Sequence, residues 1–314
     1  SDVYKRQLAV LPGHRMLLRG LGYEAILLTV IGGIGTVICI LMTLPAIILI
    51  LPLLYQNLKN YIPFILSLII LLTLASEKRK VRAVLVLTLS GMLGMLSLNL
   101  SVHSLTAIFT GLFGISTLIL SLGASIPEQS LRIRAIGKTE SAIATVKAYI
   151  SSMLVGILPG VGAAQAASLL QLRRKSEREF LISVGGINTA VAFFSIFSLL
   201  LLSKPRSGIA VALSNFVHGF SINTLLYFTA VGVFSAGISA ILTLFIAKRF
   251  LKILEKINYA LISKLTIIFL FILVFLLSGP IGLLILITST SIGLLAPLLK
   301  VRLSLIHISE PTRP

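Results

Sequence analysis

Long apolar runs separated by short polar breaks set the pattern of this chain, and the every-second-residue alternation of a half-buried strand is absent. Apolar stretches occupy residues 24–55, 62–75, 83–100, 105–122, 139–158, 180–202, 220–247, 265–277 and 281–298. At roughly 20 residues per full span they supply about eight to ten membrane-crossing or re-entrant helices. The fold class this predicts is all-α: a polytopic membrane protein. Lys and Arg collect in the breaks at residues 77–82, 128–138, 173–175 and 248–264, which the positive-inside rule assigns to the cytoplasm. Residues 99–104 are charge-poor and fall on the opposite side.

Local signals place several ends and joints. Leu11-Pro12-Gly13 reads as a turn. The run at residues 24–55 exceeds one bilayer at about 1.5 Å per residue, so it is tilted, kinked or split near Pro45. Gly32, Gly33 and Gly35 suit close packing against another helix. Thr139 reads as a helix cap, with Glu140 at the positive helix end. Ser176 followed by Glu179 is a capping box. Residues 208–218 read as a short amphipathic or re-entrant helix, and Ser278-Gly279-Pro280 as the turn of a last hairpin. Lys147 either snorkels to the interface or faces the path of an anion.

The stretch at residues 151–175, SSMLVGILPGVGAAQAASLLQLRRK, carries the strongest functional signal. Pro159 has no N–H to donate and clashes with the preceding turn. Gly160 and Gly162 accept backbone angles that other residues avoid. A helix is predicted to break at residues 158–162, in the middle of an apolar stretch. Residues 163–172 then return to Arg173-Arg174-Lys175, giving a re-entrant, Pro-Gly broken hairpin with both ends on the basic side. Broken backbone inside hydrocarbon is tolerated only where protein buries it or it lines a watery cavity, and transporters use such breaks as binding sites. A Pro-Gly kink without a ligand, or a plain loop, has the same signature. Two further polar patches interrupt apolar runs: Gly185 and Gly186 with Asn188 and Thr189, and Gly114 with Ser116 and Thr117. At the second of these, tight packing and a local unwinding both stay open. The Gly-Ile-polar-Thr pattern they share is a weak internal repeat.

Composition removes several classes. Hydrophobic residues make up 57% of the chain and charged residues 11%, against roughly 25% charged in soluble domains. The net charge of +18 sits in short loops without interleaved aromatics, which argues against nucleic acid as a partner. Cys39 is the only cysteine, so no intrachain disulfide or Cys-x-x-Cys metal site forms. The Glu residues fall at membrane boundaries or in loops, with no pair inside one span, against an aspartyl protease or a carboxylate proton relay. A phosphate-binding loop is absent. No organic cofactor is implied, only a coupling ion, Na⁺ or H⁺.

Residues 1–7 (SDVYKRQ) and 303–314 (LSLIHISEPTRP) break the pattern abruptly and are similar to adapter-derived translations at the ends of assembled metagenomic reads. They are set aside as foreign, and residues 8–302 are read as one transmembrane domain whose native N-terminal part is missing.

Four stretches now point one way: LPGHRMLLRGLGYEA (residues 11–25), GLFGISTLILSL (111–122), GILPGVGAAQAA (156–167) and SVGGINTA (183–190). In order and spacing the chain resembles the large permease subunit of the tripartite tricarboxylate transporters, on the archaeal side of that family. The resemblance covers most of residues 8–302. It implies a multi-pass secondary transporter in the cell membrane, not an enzyme. Bacterial members take up citrate and other carboxylates with a soluble binding protein and a small membrane subunit. The chain departs from the family in lacking a first Leu-Pro-Gly half-motif upstream, so half of a two-fold site is unseen.

The expected cargo is a small organic anion, a carboxylate. The expected binding residues in the hairpin are Pro159, Gly160, Val161, Gly162, Ala163 and Gln165, where helix ends broken at the proline would offer it the N–H groups around residues 160–164. Gly185, Gly186, Asn188 and Thr189 would complete the site, with Gly114, Ser116 and Thr117 as a second region. Carbonyls freed near Leu158 and Gly185, with Thr189, Asn188 and Gln165, suit Na⁺. Two rival readings stand beside this one. An intramembrane enzyme would use Ser151, His103 or His218, without a Gly-x-Ser-x-Gly elbow to support it. A channel or scaffold subunit would have no turnover.

Overall fold

Pro12 opens the first helix. The computed structural model describes residues 12–75, 77, 79–98, 100, 104–122, 127–131, 133–134, 136–157, 176–205, 207–216, 221–254, 258–299 and 301. Helix α1, Pro12–Leu17, stands where Leu11-Pro12-Gly13 predicted a turn. At the first helical position the missing proline N–H costs nothing and its fixed φ favours the helix. Then follow α2, Gly22–Leu58; a 3₁₀ joint, Lys59–Tyr61; α3, Ile62–Ala75; and α4, Lys80–Leu98. Helix α5, Ser104–Phe109, passes through a π-helical turn, Thr110–Ile115, into α6, Ser116–Ser121. The remainder is α7, Lys138–Ile157; α8, Glu177–Leu202; α9, Gly208–Ser214; α10, Ile222–Leu254; and α11, Tyr259–Leu298. No strand occurs among the described residues.

Among the described residues, six helical stretches are long and apolar enough to cross a membrane. Two of them contain a joint, one at Lys59–Tyr61 and one at Gly279. Large apolar side chains such as Met42, Leu49, Phe64, Phe234 and Leu276 are more than half exposed, a surface that water would not tolerate but lipid does. The protein is an all-α, multi-pass membrane protein. Helix α2 does not split at Pro45; it runs on through Pro45 and Pro52 to Leu58. Helix α7 begins at Lys138, so Thr139 lies inside the first turn and is not its cap. Ser176 does cap α8, its hydroxyl accepting from the Glu179 N–H at 3.0 Å.

The described residues fall into two compact units. The first comprises Ser1–Gly20, Leu68–Glu128 and Lys252–Pro314; the second comprises Leu21–Ser67 and Gln129–Leu251.

In the first unit, α11 reverses direction as the sequence predicts. A Cβ at Gly114 would lie 3.6 Å from Leu270, on the first arm of α11, while one at Gly293, on the second arm, would strike the Leu112 carbonyl. A straight helix would hold residues 270 and 293 about 34 Å apart, so both arms reach the same turn only if the chain folds back between them. The reversal is at Gly279, whose φ of 62° and ψ of −161° lie outside the helical region. Both readings left open at residues 114–117 hold in part. The helix widens into the π turn, and it packs tightly, since Gly111 meets Ser289 and the Leu286 carbonyl. Hydroxyls of Ser116 and Thr117 donate to the Leu112 and Phe113 carbonyls, satisfying acceptors at the widened turn. Gly279→Ala is expected to destabilise by about 1–3 kcal/mol, because a Cβ strains that backbone. A lowered thermal midpoint in detergent would register it, and an unchanged one would place the reversal elsewhere.

In the second unit, α2, α7 and α8 form the core. Val37, Ile40, Leu44, Ile47 and Leu51 recur along α2 every three or four residues and pack on Ala190, Phe193, Phe194, Phe197 and Leu200 of α8. That spacing is a helix–helix seam. Below it the backbones themselves touch. A Cβ at Gly32 would fall on the Ile182 carbonyl, and one at Gly185 on the Thr29 carbonyl, both far inside the 3.0 Å that real Cβ atoms keep. Close contact of this kind is the usual reason for small residues in membrane helices. Ser183 donates to the Ala144 carbonyl at 3.3 Å and ties α8 to α7.

Candidate functional site

The second unit contains a cleft of about 410 Å³. Its walls are Thr29, Val30, Gly33 and Ile34 from α2, Gly185, Asn188 and Thr189 from α8, and Ala236, Ser239, Ala240 and Thr243 from α10. Among the described residues no charged side chain lines it, and the polar groups they bring are four hydroxyls and one amide. Asn188 lies about 16 Å along α8 from Glu177, or half the roughly 30 Å of a hydrocarbon core. Transporter sites characteristically lie at that depth.

The hydroxyls differ in how they are spent. Thr29 donates to the Ile26 carbonyl at 2.7 Å, and Thr189 to the Gly185 carbonyl at 3.1 Å. Each keeps its acceptor lone pairs for a ligand. The side chains of Asn188, Ser239 and Thr243 are exposed and make no hydrogen bond among the described residues. An unpaired amide and two such hydroxyls on apolar helices are uncommon, because the same groups facing lipid would lack partners.

The basic end of the unit closes with ion pairs. Glu24, in the first turn of α2, is buried and accepts from Nε of Arg178 on α8 at 2.7 Å and also from Nη2. Arg178 further donates to the Arg134 carbonyl at 3.2 Å. Gln129 accepts from the Gly22 N–H at 3.0 Å and so covers the start of α2. Lys147, 41% exposed, is paired with Glu179 at 2.6 Å. Ser176 donates to Glu140.

Comparison with known proteins decides the class. The sequence profile of the tripartite tricarboxylate transporter TctA family matches residues 4–307. The chain belongs to that family. It is 31% identical over 274 residues to an uncharacterized protein of Methanocaldococcus jannaschii, covering 83% of this chain and 67% of the relative. No solved structure matches the chain. As a TctA family protein it is a multi-pass membrane protein of a transporter family.

The expected site residues of this TctA family chain divide four ways. Gly185, Asn188 and Thr189 come together in the cleft. Gly186 faces away from it, packed against Ala148, Thr36 and Gly32. Helix α8 runs unbroken from Glu177 to Leu202, so the predicted interruption at residues 183–190 does not free the Gly185 carbonyl. The glycines there serve backbone contact with α2 rather than a break. Gly114, Ser116 and Thr117 lie in the first unit, with Ser116 buried and both hydroxyls bonded to their own helix. Leu158, Pro159, Gly160, Val161, Gly162, Ala163 and Gln165 lie outside the described residues, as do His103 and His218.

The chain ends on either side of that interval are described. Ser176 bonds Glu140 at the start of α7, whereas Ile157 ends α7 about 26 Å further along. The start of α8 therefore lies beside the start of α7 and not beside its far end. Thr29, Ser239 and Thr243 were not singled out by sequence. Their signal is modest: hydroxyls on apolar helices, with Ser239 and Thr243 four apart on one face of α10.

Proposed function

We propose that this chain is the carrier subunit of its transport system and moves a small organic anion, a carboxylate, through the cleft between α2, α8 and α10. What supports the reading is one observation: an uncharged, oxygen-bearing cleft halfway along apolar helices, in a chain of a transporter family. Carboxylate cargo would accept from the Asn188 amide and from the hydroxyls of Ser239 and Thr243. Amides at Gly160 to Ala163, with Pro159 and Gln165, would hold its other end. Coupling to Na⁺ is favoured over H⁺ by the neutral oxygens of Thr29, Asn188 and Thr189, since no carboxylate among the described residues lines the cleft. The basic ends of α2, α8 and α10 would face the cytoplasm. A small membrane subunit and a soluble binding protein are the partners this assignment carries with it.

The test is uptake of labelled citrate by proteoliposomes under a Na⁺ gradient. Asn188→Ala is expected to lower the specificity for cargo about tenfold, the loss of one hydrogen bond to a charged group. Gly160→Leu is expected to abolish uptake. Wild-type rates in both variants would remove the site, and saturable uptake independent of Na⁺ would remove the coupling.

A further inference from the structure

The helices that wall the cleft meet again at its basic end. The Lys248 ammonium, on α10, lies 5.7 Å from the centre of the Tyr23 ring, on α2. Tyr23 is 5% exposed, so the ring is a fixed platform. Along α2, Thr29 begins the cleft about 9 Å beyond Tyr23, and along α10, Thr243 ends it about 7.5 Å before Lys248. The ammonium is thus held over one rim, between two of the three walls.

Among the described residues its charge has no ion partner, unlike those of Arg178 and Lys147. Arg178 is taken by Glu24 and Lys147 by Glu179. Arg249 lies over Phe245 of its own helix, at 4.2 Å, and does not bridge to α2. Lys248 forms no ion pair among the described residues, and the aromatic ring beneath it carries no net charge. A cation over a ring at an exposed site is held only weakly and yields to a carboxylate. A positive charge at the mouth of a low-dielectric cleft also concentrates anions there. Lysine suits the task, being a compact point charge on a flexible stem.

We propose that Lys248, held over Tyr23, is the anion-selecting residue at the mouth of the cleft, where a carboxylate of the cargo exchanges the ring for an ion pair. This rests on the reading that the cargo is an anion passing through that cleft. It assigns selectivity to a residue outside the cleft itself, whose own lining is neutral.

Citrate uptake by proteoliposomes is again the probe, now with KM and maximal rate separated and KCl varied. Lys248→Gln is expected to raise KM about tenfold, with a maximal rate within about twofold of wild type, and to flatten the fall of uptake with added salt. Lys248→Arg should return most of the affinity. Tyr23→Leu, which leaves the charge but removes the platform, should raise KM about threefold. Lys204→Gln, at the opposite end of α8, should change neither. A Lys248→Gln protein with wild-type KM and wild-type salt dependence overturns the assignment while leaving the carrier reading intact. Absence of citrate uptake in the wild type overturns the anion reading and this assignment with it.

Discussion

Gly32→Val is expected to yield no correctly folded protein. The Cβ that valine introduces would coincide with the Ile182 carbonyl oxygen and press on the Gly186 N–H. Neither is the movable end of a side chain. Relief requires α2 and α8 to separate, and the seam from Val37 to Leu51 against the α8 phenylalanines then opens along its length. Overpacking in a well-filled core costs about 1–3 kcal/mol and more when backbone blocks the relief. Gly185→Val meets the Thr29 carbonyl from the other side and should behave alike. Gly237→Val is the control, since nothing stands within 4 Å of its Cβ position; surface changes of that kind stay within about 0.5 kcal/mol. Size-exclusion profiles and thermal midpoints in detergent distinguish these outcomes. A monodisperse Gly32→Val protein melting with the wild type would show that the two helices do not touch as described.

Arg178→Ala is expected to destabilise by about 3–5 kcal/mol, the range for stranding one member of a buried ion pair. The asymmetry of the pair sharpens the prediction. Glu24 is 1% exposed and its Oε2 has no partner among the described residues, so its charge depends on what Arg178 brings to Oε1. Arg178 is 23% exposed and keeps the Arg134 carbonyl. Glu24→Gln should therefore cost less, about 1–2 kcal/mol, close to the loss of a charge-assisted hydrogen bond. Replacing both, Glu24→Leu with Arg178→Met, should recover much of the single-mutant loss, because two apolar side chains of similar volume need no compensation. Denaturant midpoints in one detergent give the whole cycle. Equal losses from the two single changes would contradict the buried, one-sided geometry.

Much of this architecture was legible before any coordinates because its causes are local. Apolar runs of membrane length, the Ser176 cap and the glycine-proline reversal at residues 279–280 each depend on a few neighbouring residues. Gly32 and Gly33 were read as packing positions, and packing is where they are used. Sequence reasoning failed where the deciding partner is distant. Nothing near Lys147 announces Glu179, and Glu24 meets Arg178 across 154 positions. Glycines at 185 and 186 signalled a break, yet α8 is continuous because its hydrogen bonds stay satisfied and its missing side chains admit α2. Thr139 had the chemistry of a cap but not the position, standing second in the helix that Lys138 begins. The cleft itself was half visible: Asn188 and Thr189 stand out in their own segment. Ser239 and Thr243 do not, because hydroxyls in membrane helices commonly bond back to their own backbone, and only the neighbouring helices reveal that these two face a cavity.

Accessibility of single cysteines tests most directly whether cargo passes between α2, α8 and α10. Cys39, the only cysteine of the chain, is first replaced by Ser. Asn188→Cys and Thr243→Cys should then react with a small, charged, water-soluble thiol reagent, and saturating citrate should slow both reactions. Ile187→Cys, one residue away and fully buried, should stay unlabelled. Silence at position 188 equal to that at 187, or labelling at rates that citrate leaves unchanged, would mean that the cleft is neither watery nor on the cargo's route.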